Sequence, residues 1–183
     1  MAEQQSYQDW LKQEFGALID GLEITELQKR FMRSRWLDQV LWMEGKANKA
    51  RDRYYFLRLT AIIGGVIVPA LVSLNVQGQA AAWARWGVFV ISLLVAISVA
   101  VEEFFRYGDR WRHYRRTVES LKTEGWRFFQ LTGSYKRDQT HAAAFNDFAA
   151  VVEEINQQDV QTYISQIVVA KQGAKGEANQ SNQ

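Results

Sequence analysis

A chain of 183 residues is long enough for one ordinary domain, and its formal net charge of +2 is too small to point to nucleic acid. Cysteine is absent, which excludes disulfides, thiolate metal sites and a cysteine nucleophile. Mean hydropathy is slightly negative, but the apolar residues are concentrated in two segments, so the average describes neither. The single proline, Pro69, and the scarcity of glycine clusters favour long helices over strands and turns.

In chain order, residues 1–53 read as cytoplasmic helices without a secretory signal, because the first 50 residues hold no apolar run. A short amphipathic piece carries Trp10, Leu11, Phe15, Leu18 and Ile19, and Gly21 breaks it. From about Glu23 a long helix is expected, with Ile24, Leu27, Phe31, Leu37 and Leu41 as its apolar stripe, widened by Trp36, Trp42 and Met43.

Residues 54–104 read as a transmembrane hairpin. The first span, about 59–76 (LTAIIGGVIVPALVSLNV), has no charge in 18 positions. At 1.5 Å per residue it covers roughly 27 Å, close to the ~30 Å hydrocarbon core. The second, about 86–101 (WGVFVISLLVAISVAV), is slightly short, with Trp83 and Arg85 able to extend it at the interface. The connection is too short for a domain, so the two helices are expected to run antiparallel. Lys46, Lys49, Arg51, Arg53 and Arg58 precede the first span, and Arg106, Arg110, Arg112, Arg115 and Arg116 follow the second, against Arg85 in the connection. The positive-inside rule then places both termini in the cytoplasm. Tyr54, Tyr55, Trp83 and Trp86 fit interfacial anchors. Asn75 is expected to cap or anchor the outer end of the first span.

Residues 105–170 read as cytoplasmic helices. The second span is expected to run on without a break as far as Gly133. A helix over 140–156 follows, with Phe145, Phe148, Val151, Val152 and Ile155 inward, and then a short one over 159–170. Residues 171–183 have the composition of a disordered tail. The fold class is an all-α membrane protein, a two-helix hairpin continuing into a cytoplasmic helical bundle.

The segment GDRWRHYRRTVESLKTEGWRFFQLTGSY, followed by His141 and AFNDFAAVVEEI, together with the block YYFLRLTAIIGGVIVPALVSL and its Pro69, resembles a family. This is the two-transmembrane family of unknown function common in cyanobacteria, within the SLATT group (SMODS and SLOG-associating two-transmembrane effector domains). The likeness covers about Arg35 to Gln166. It implies a membrane protein of the inner, plasma or thylakoid membrane, from a group whose members are proposed to form pores, some as effectors of bacterial conflict systems.

Candidate sites follow from the spans. Ser92, Ala96 and Ala100 recur every fourth residue on the second span, as Ala61, Gly65 and Pro69 do on the first. Such spacing lets helices pack closely, within the hairpin or between subunits at a pore wall. Glu103 shares a face with Ser92, Ala96 and Val99. In a ring of subunits it would form, with Glu102, an acidic mouth that concentrates cations. An ion pair to Arg106 or Arg58 is the competing reading. Pro69 with Gly64 and Gly65 is a static kink or a hinge. Arg58, Arg106 and Arg110 are placed to meet lipid headgroups. His113 and His141 lack metal-ligating company, and the Glu153–Glu154 pair reads as solvated. No catalytic signature occurs, so the chain reads as no enzyme, with no cofactor and no metal. The expected partners are membrane lipids, further copies of the chain and inorganic cations, and no nucleic acid. The function so read is a homo-oligomeric channel or pore for cations, with a non-conducting membrane scaffold and a membrane-disrupting stress effector as alternatives.

Overall fold

The computed structural model describes the backbone of residues 2–74 and 79–180, and the side chains of 7–74 and 81–161. The described residues are helical and contain no strand. Helix α1 spans Ala2–Asp20. After a turn at Gly21, α2 (Glu26–Phe31) starts three residues later than the sequence suggests, because Thr25 forms a capping box. The Thr25 hydroxyl accepts from the Gln28 amide, and the Gln28 side chain accepts from the Thr25 amide. A π-helical turn, Met32–Leu37, leads into α3, Asp38–Ser73. Helices α4 (Gln79–Phe105) and α5 (Tyr107–Phe129) follow. A short 3₁₀ turn at Gly133–Tyr135 precedes α6, His141–Gln180. Asn75 and the last three residues lie outside the described residues.

The chain divides into two compact units. The first, residues 1–43 with 116–183, is a helical bundle around Trp36, which is fully buried. The π turn has an extra residue in its circumference, and Met32, Trp36 and Leu37 all bury within it. The stripe expected from periodicity is therefore shifted: Leu27 is exposed, and Met32, Trp36, Leu37, Val40 and Met43 form the core face. Trp36 donates its indole N–H to the Leu121 carbonyl at 2.9 Å and packs edge-on against Phe15, Phe129 and Phe148. Gly125 makes room for it, since a Cβ there would fall 2.1 Å from Trp36 Cζ2. Phe128 stacks on Phe148 at 4.4 Å. The buried Glu124 carboxylate accepts from the Tyr135 hydroxyl at 2.6 Å, and burial together with that bond pushes the Tyr135 pKa up. Phe145, Phe148 and Val152 are buried as the sequence implies.

Two expectations for this unit change. Glu153 is not simply solvated: Arg35 grips it through two bonds, of 2.6 and 2.7 Å. The hydrogen bond from Arg35 holds the Glu153 carboxyl below its usual range. In addition, α6 runs as one helix to Gln180, where two helices and a disordered tail were expected. The Gln157–Gln158 link contains neither glycine nor proline, and Ala, Lys, Glu and Gln, all good helix formers, recur in its last turns.

The second unit, residues 44–115, contains two helices long and apolar enough to cross a membrane. Only 6% of each apolar window is buried, so these are not core helices of the fold. Helices α3 and α4 meet where Gly64 lies against Ile91 and Val95. Nearer the start of α3, the buried Glu44 accepts from Arg115 at 2.8 Å. A buried carboxylate without that partner would be strongly destabilising.

Two outcomes test this packing. Gly125→Ala pushes a methyl into a rigid, fully buried indole and should cost about 1–3 kcal/mol, read as a lower thermal midpoint with helicity retained. Glu153→Gln tests the Arg35 pair. A carboxylate with a lowered folded pKa stabilises above its unfolded value, near 4.5, and this contribution disappears as pH falls through the folded value. Acid denaturation curves of the variant should therefore be flatter below pH 4.5 than those of the parent.

Candidate functional site

The polar residues singled out in the sequence converge where α4 ends. Helix α4 continues to Phe105, and the chain then breaks at Arg106, whose φ is +48°. The expected run of the second span into the following helix is interrupted there. The sequence hides this break because the one local helix breaker, Gly108, is used differently. Gly108 is buried inside α5, and a Cβ there would sit 2.9 Å from Tyr54 Cε2, so the glycine serves close approach rather than a turn. Tyr54 stacks on Trp111 with centroids 6.3 Å apart, and Tyr55 touches the same ring at 5.8 Å. The Arg53 guanidinium lies over the Tyr107 ring at 5.6 Å. Aromatic and cation–π contacts therefore hold the first turns of α5 against α3.

Around this junction lies a cleft of about 270 Å³ lined by Tyr54, Arg58, Glu102, Glu103, Arg106, Gly108, Asp109 and Arg112. Three guanidiniums face three carboxylates across it. Asp109 is shared, binding Arg106 at 2.8 Å and Arg112 at 2.6 Å. The competing reading of Glu103, an ion pair to Arg106 or Arg58, is not what forms, since Arg106 turns to Asp109. Among the described residues neither Glu102, Glu103 nor Arg58 has an ion pair. Arg110 is exposed and does not line the cleft. Asp109, Arg112 and Gly108 were missed. The signal for the first two was present: Asp109 lies three residues from each of two arginines on a helical pattern, the spacing of side-chain pairs on one face.

Along α4, Ser92, Ala96, Val99 and Glu103 are all exposed. The face of α4 that meets α3 is instead built from Ile91, Val95 and the buried Ser98. At ~100° per residue the exposed row is turned about 100° away from that contact. Packing between the two spans thus accounts for neither Ser92 nor Ala96. On α3 it is Gly64, not Gly65, that meets the partner helix, and Gly65 has open space where a side chain would go. Helix α3 runs through Pro69 to Ser73. Trp83, Trp86 and Tyr55 are exposed at the ends of the apolar helices, while Tyr54 is half-buried beneath Trp111.

No group of three or more potential metal ligands occurs among the described residues. His141 sits 3.1 Å from the Phe129 carbonyl, which occupies its ring Nε2.

A family model described as a protein of unknown function (DUF4231) matches residues 38–143, more than half of the chain. The chain belongs to the DUF4231 family. The matched stretch begins at the first residue of α3 and takes in both apolar helices, the break at Arg106 and all of α5. The whole cleft therefore lies inside the DUF4231 region. Nothing among curated proteins and nothing among solved structures matches the chain.

The two glycines give opposite expectations. Gly64→Ala places a Cβ 2.3 Å from Val95 Cγ2, on a β-branched side chain with little rotamer freedom. It should lower thermal stability in detergent. Gly65→Ala fills open space and should be neutral or stabilising by roughly 0.5–1 kcal/mol, because alanine replaces glycine inside a helix.

Proposed function

We propose that the α3–α4 pair is a transmembrane hairpin with both chain ends in the cytoplasm, and that several copies assemble into a cation-conducting pore. The membrane part rests on two apolar helices whose windows are left uncovered by the rest of the chain. It also rests on the distribution of basic residues, ten flanking the hairpin outside its connection against Arg85 within it. Uncovered apolar surface of this extent is stable in hydrocarbon and a liability in water.

The observation that carries the pore is the row Ser92, Ala96, Val99 and Glu103, which apart from Val99 is small, polar or acidic, is free of the hairpin contact and ends at the charged cleft. Two helices cannot enclose a water-filled path, so conduction requires assembly. In a ring of copies the row faces the axis, and Glu103 forms the acidic mouth that attracts cations and repels anions. Affiliation with the SLATT group, whose two-span members are proposed to form pores, is part of this same proposal.

Single-channel recording of the purified protein in planar bilayers tests it. Discrete cation-selective openings are expected, and Glu103→Gln should reduce the cation-to-anion permeability ratio severalfold while leaving assembly unchanged. Silence across voltage, membrane tension and calcium would instead support a non-conducting scaffold.

A further inference from the structure

The junction at Arg106 combines three features. A long side chain with a Cβ occupies the left-handed region, which only glycine visits without cost. The residues on either side, Phe104, Phe105 and Tyr107, contain no glycine or proline, so local sequence alone favours one continuous helix. Backbone bonds resume at once on both sides: the Arg106 amide donates to the Glu102 carbonyl at 2.7 Å, and the Arg110 amide donates to the Arg106 carbonyl at 3.1 Å. Thus a single residue separates two helices that would otherwise join.

What holds the break is tertiary. Tyr54 packs on Gly108, Trp111 stacks on Tyr54 and lies tilted against Tyr55, and Arg53 lies over the Tyr107 ring. The pairs of Asp109 with Arg106 and Arg112 are both three residues apart and partly exposed, so they are local and weak and a continuous helix also allows them. Local preference and tertiary contact therefore oppose each other across one residue, which is the physical requirement for a two-state element.

We infer that Arg106 is a switch between a broken α4–α5 and a continuous helix running from Gln79 to Phe129. Moving one residue from the left-handed to the right-handed helical region makes the conversion, lifting Gly108 and Trp111 off Tyr54. Whatever loosens the packing of Gly108 and Trp111 on Tyr54 biases the equilibrium toward the continuous form, because it removes contacts made only in the broken one. Its consequence for Glu103, one turn before the break, rests on the pore reading. The switch itself does not, and it is measured without any current.

The absence of cysteine makes spin labelling specific. Labels at Val90→Cys and Arg110→Cys, both exposed, bracket the junction. In a continuous helix these positions are separated by about 30 Å at 1.5 Å rise per residue, and in the broken form by less. Double electron–electron resonance on the full chain in lipid nanodiscs should show both distances. Arg106→Gly should move the population to the short distance. Glycine relieves the left-handed penalty that a residue with a Cβ carries, worth about tenfold, whereas Gly108→Ala and, independently, Trp111→Ala disturb the packing on Tyr54 that holds the break and should raise the ratio of long to short severalfold. Circular dichroism confirms that each variant is folded. Opposite shifts in the glycine and alanine variants support the switch. A single distance that none of the three substitutions moves would overturn it, whatever the channel recordings give.

Discussion

Burial of Trp36 is the constraint on which the bundle depends. Its indole is the largest fully buried side chain, and it has room only because position 125 is glycine and because the π turn of residues 32–37 rotates it inward. One hydrogen bond to the Leu121 carbonyl fixes its angle. The aromatic residues of α1, α5 and α6 then close around it, through Phe15, Phe128, Phe129 and Phe148. A π turn has poorer hydrogen-bond geometry than an α-helix. It persists here because it brings Met32, Trp36 and Leu37 to one side, and the apolar area buried by three such side chains offsets several kcal/mol.

The second unit follows a different logic. Its apolar helices touch along a narrow line at Gly64, and almost everything else on them faces outward. The proposed membrane insertion would bury this uncovered apolar surface. The polar groups of this unit gather instead at one place, the end of α4, where three guanidiniums and three carboxylates share a small cleft. These charges stand beyond the charge-free run of residues 86–101.

Continuity of the helices links sequence to function. Helix α3 carries the matched family region from its first residue, and α5 carries it through the break at Arg106. Whatever acts on the junction acts on the last turn of α4, which bears Glu102 and Glu103. The proposed conduction and the proposed switch are separate, since one depends on assembly and the other on the conformation of a single residue.

Sequence alone determined the helical class, the two apolar segments and the gathering of charge beside them. Length, charge-free runs and basic flanks are local quantities that need no partner. The inward faces of α6 and of α1 at Leu11, Phe15 and Ile19 were legible for the same reason, a regular 3.6-residue period. Tertiary structure decided the rest. Periodicity assumes an unbroken α-helix, so it misassigned Leu27 and could not foresee the π turn that buries Trp36. Residue spacing could not pair Arg35 with Glu153, which are far apart in the chain. Nor could it show that Gly64 rather than Gly65 meets α4, because one residue rotates the face by ~100°. The break at Arg106 is the clearest case: no glycine or proline stands at it, and the packing of Gly108 and Trp111 on Tyr54 that accompanies it joins residues far apart in the chain.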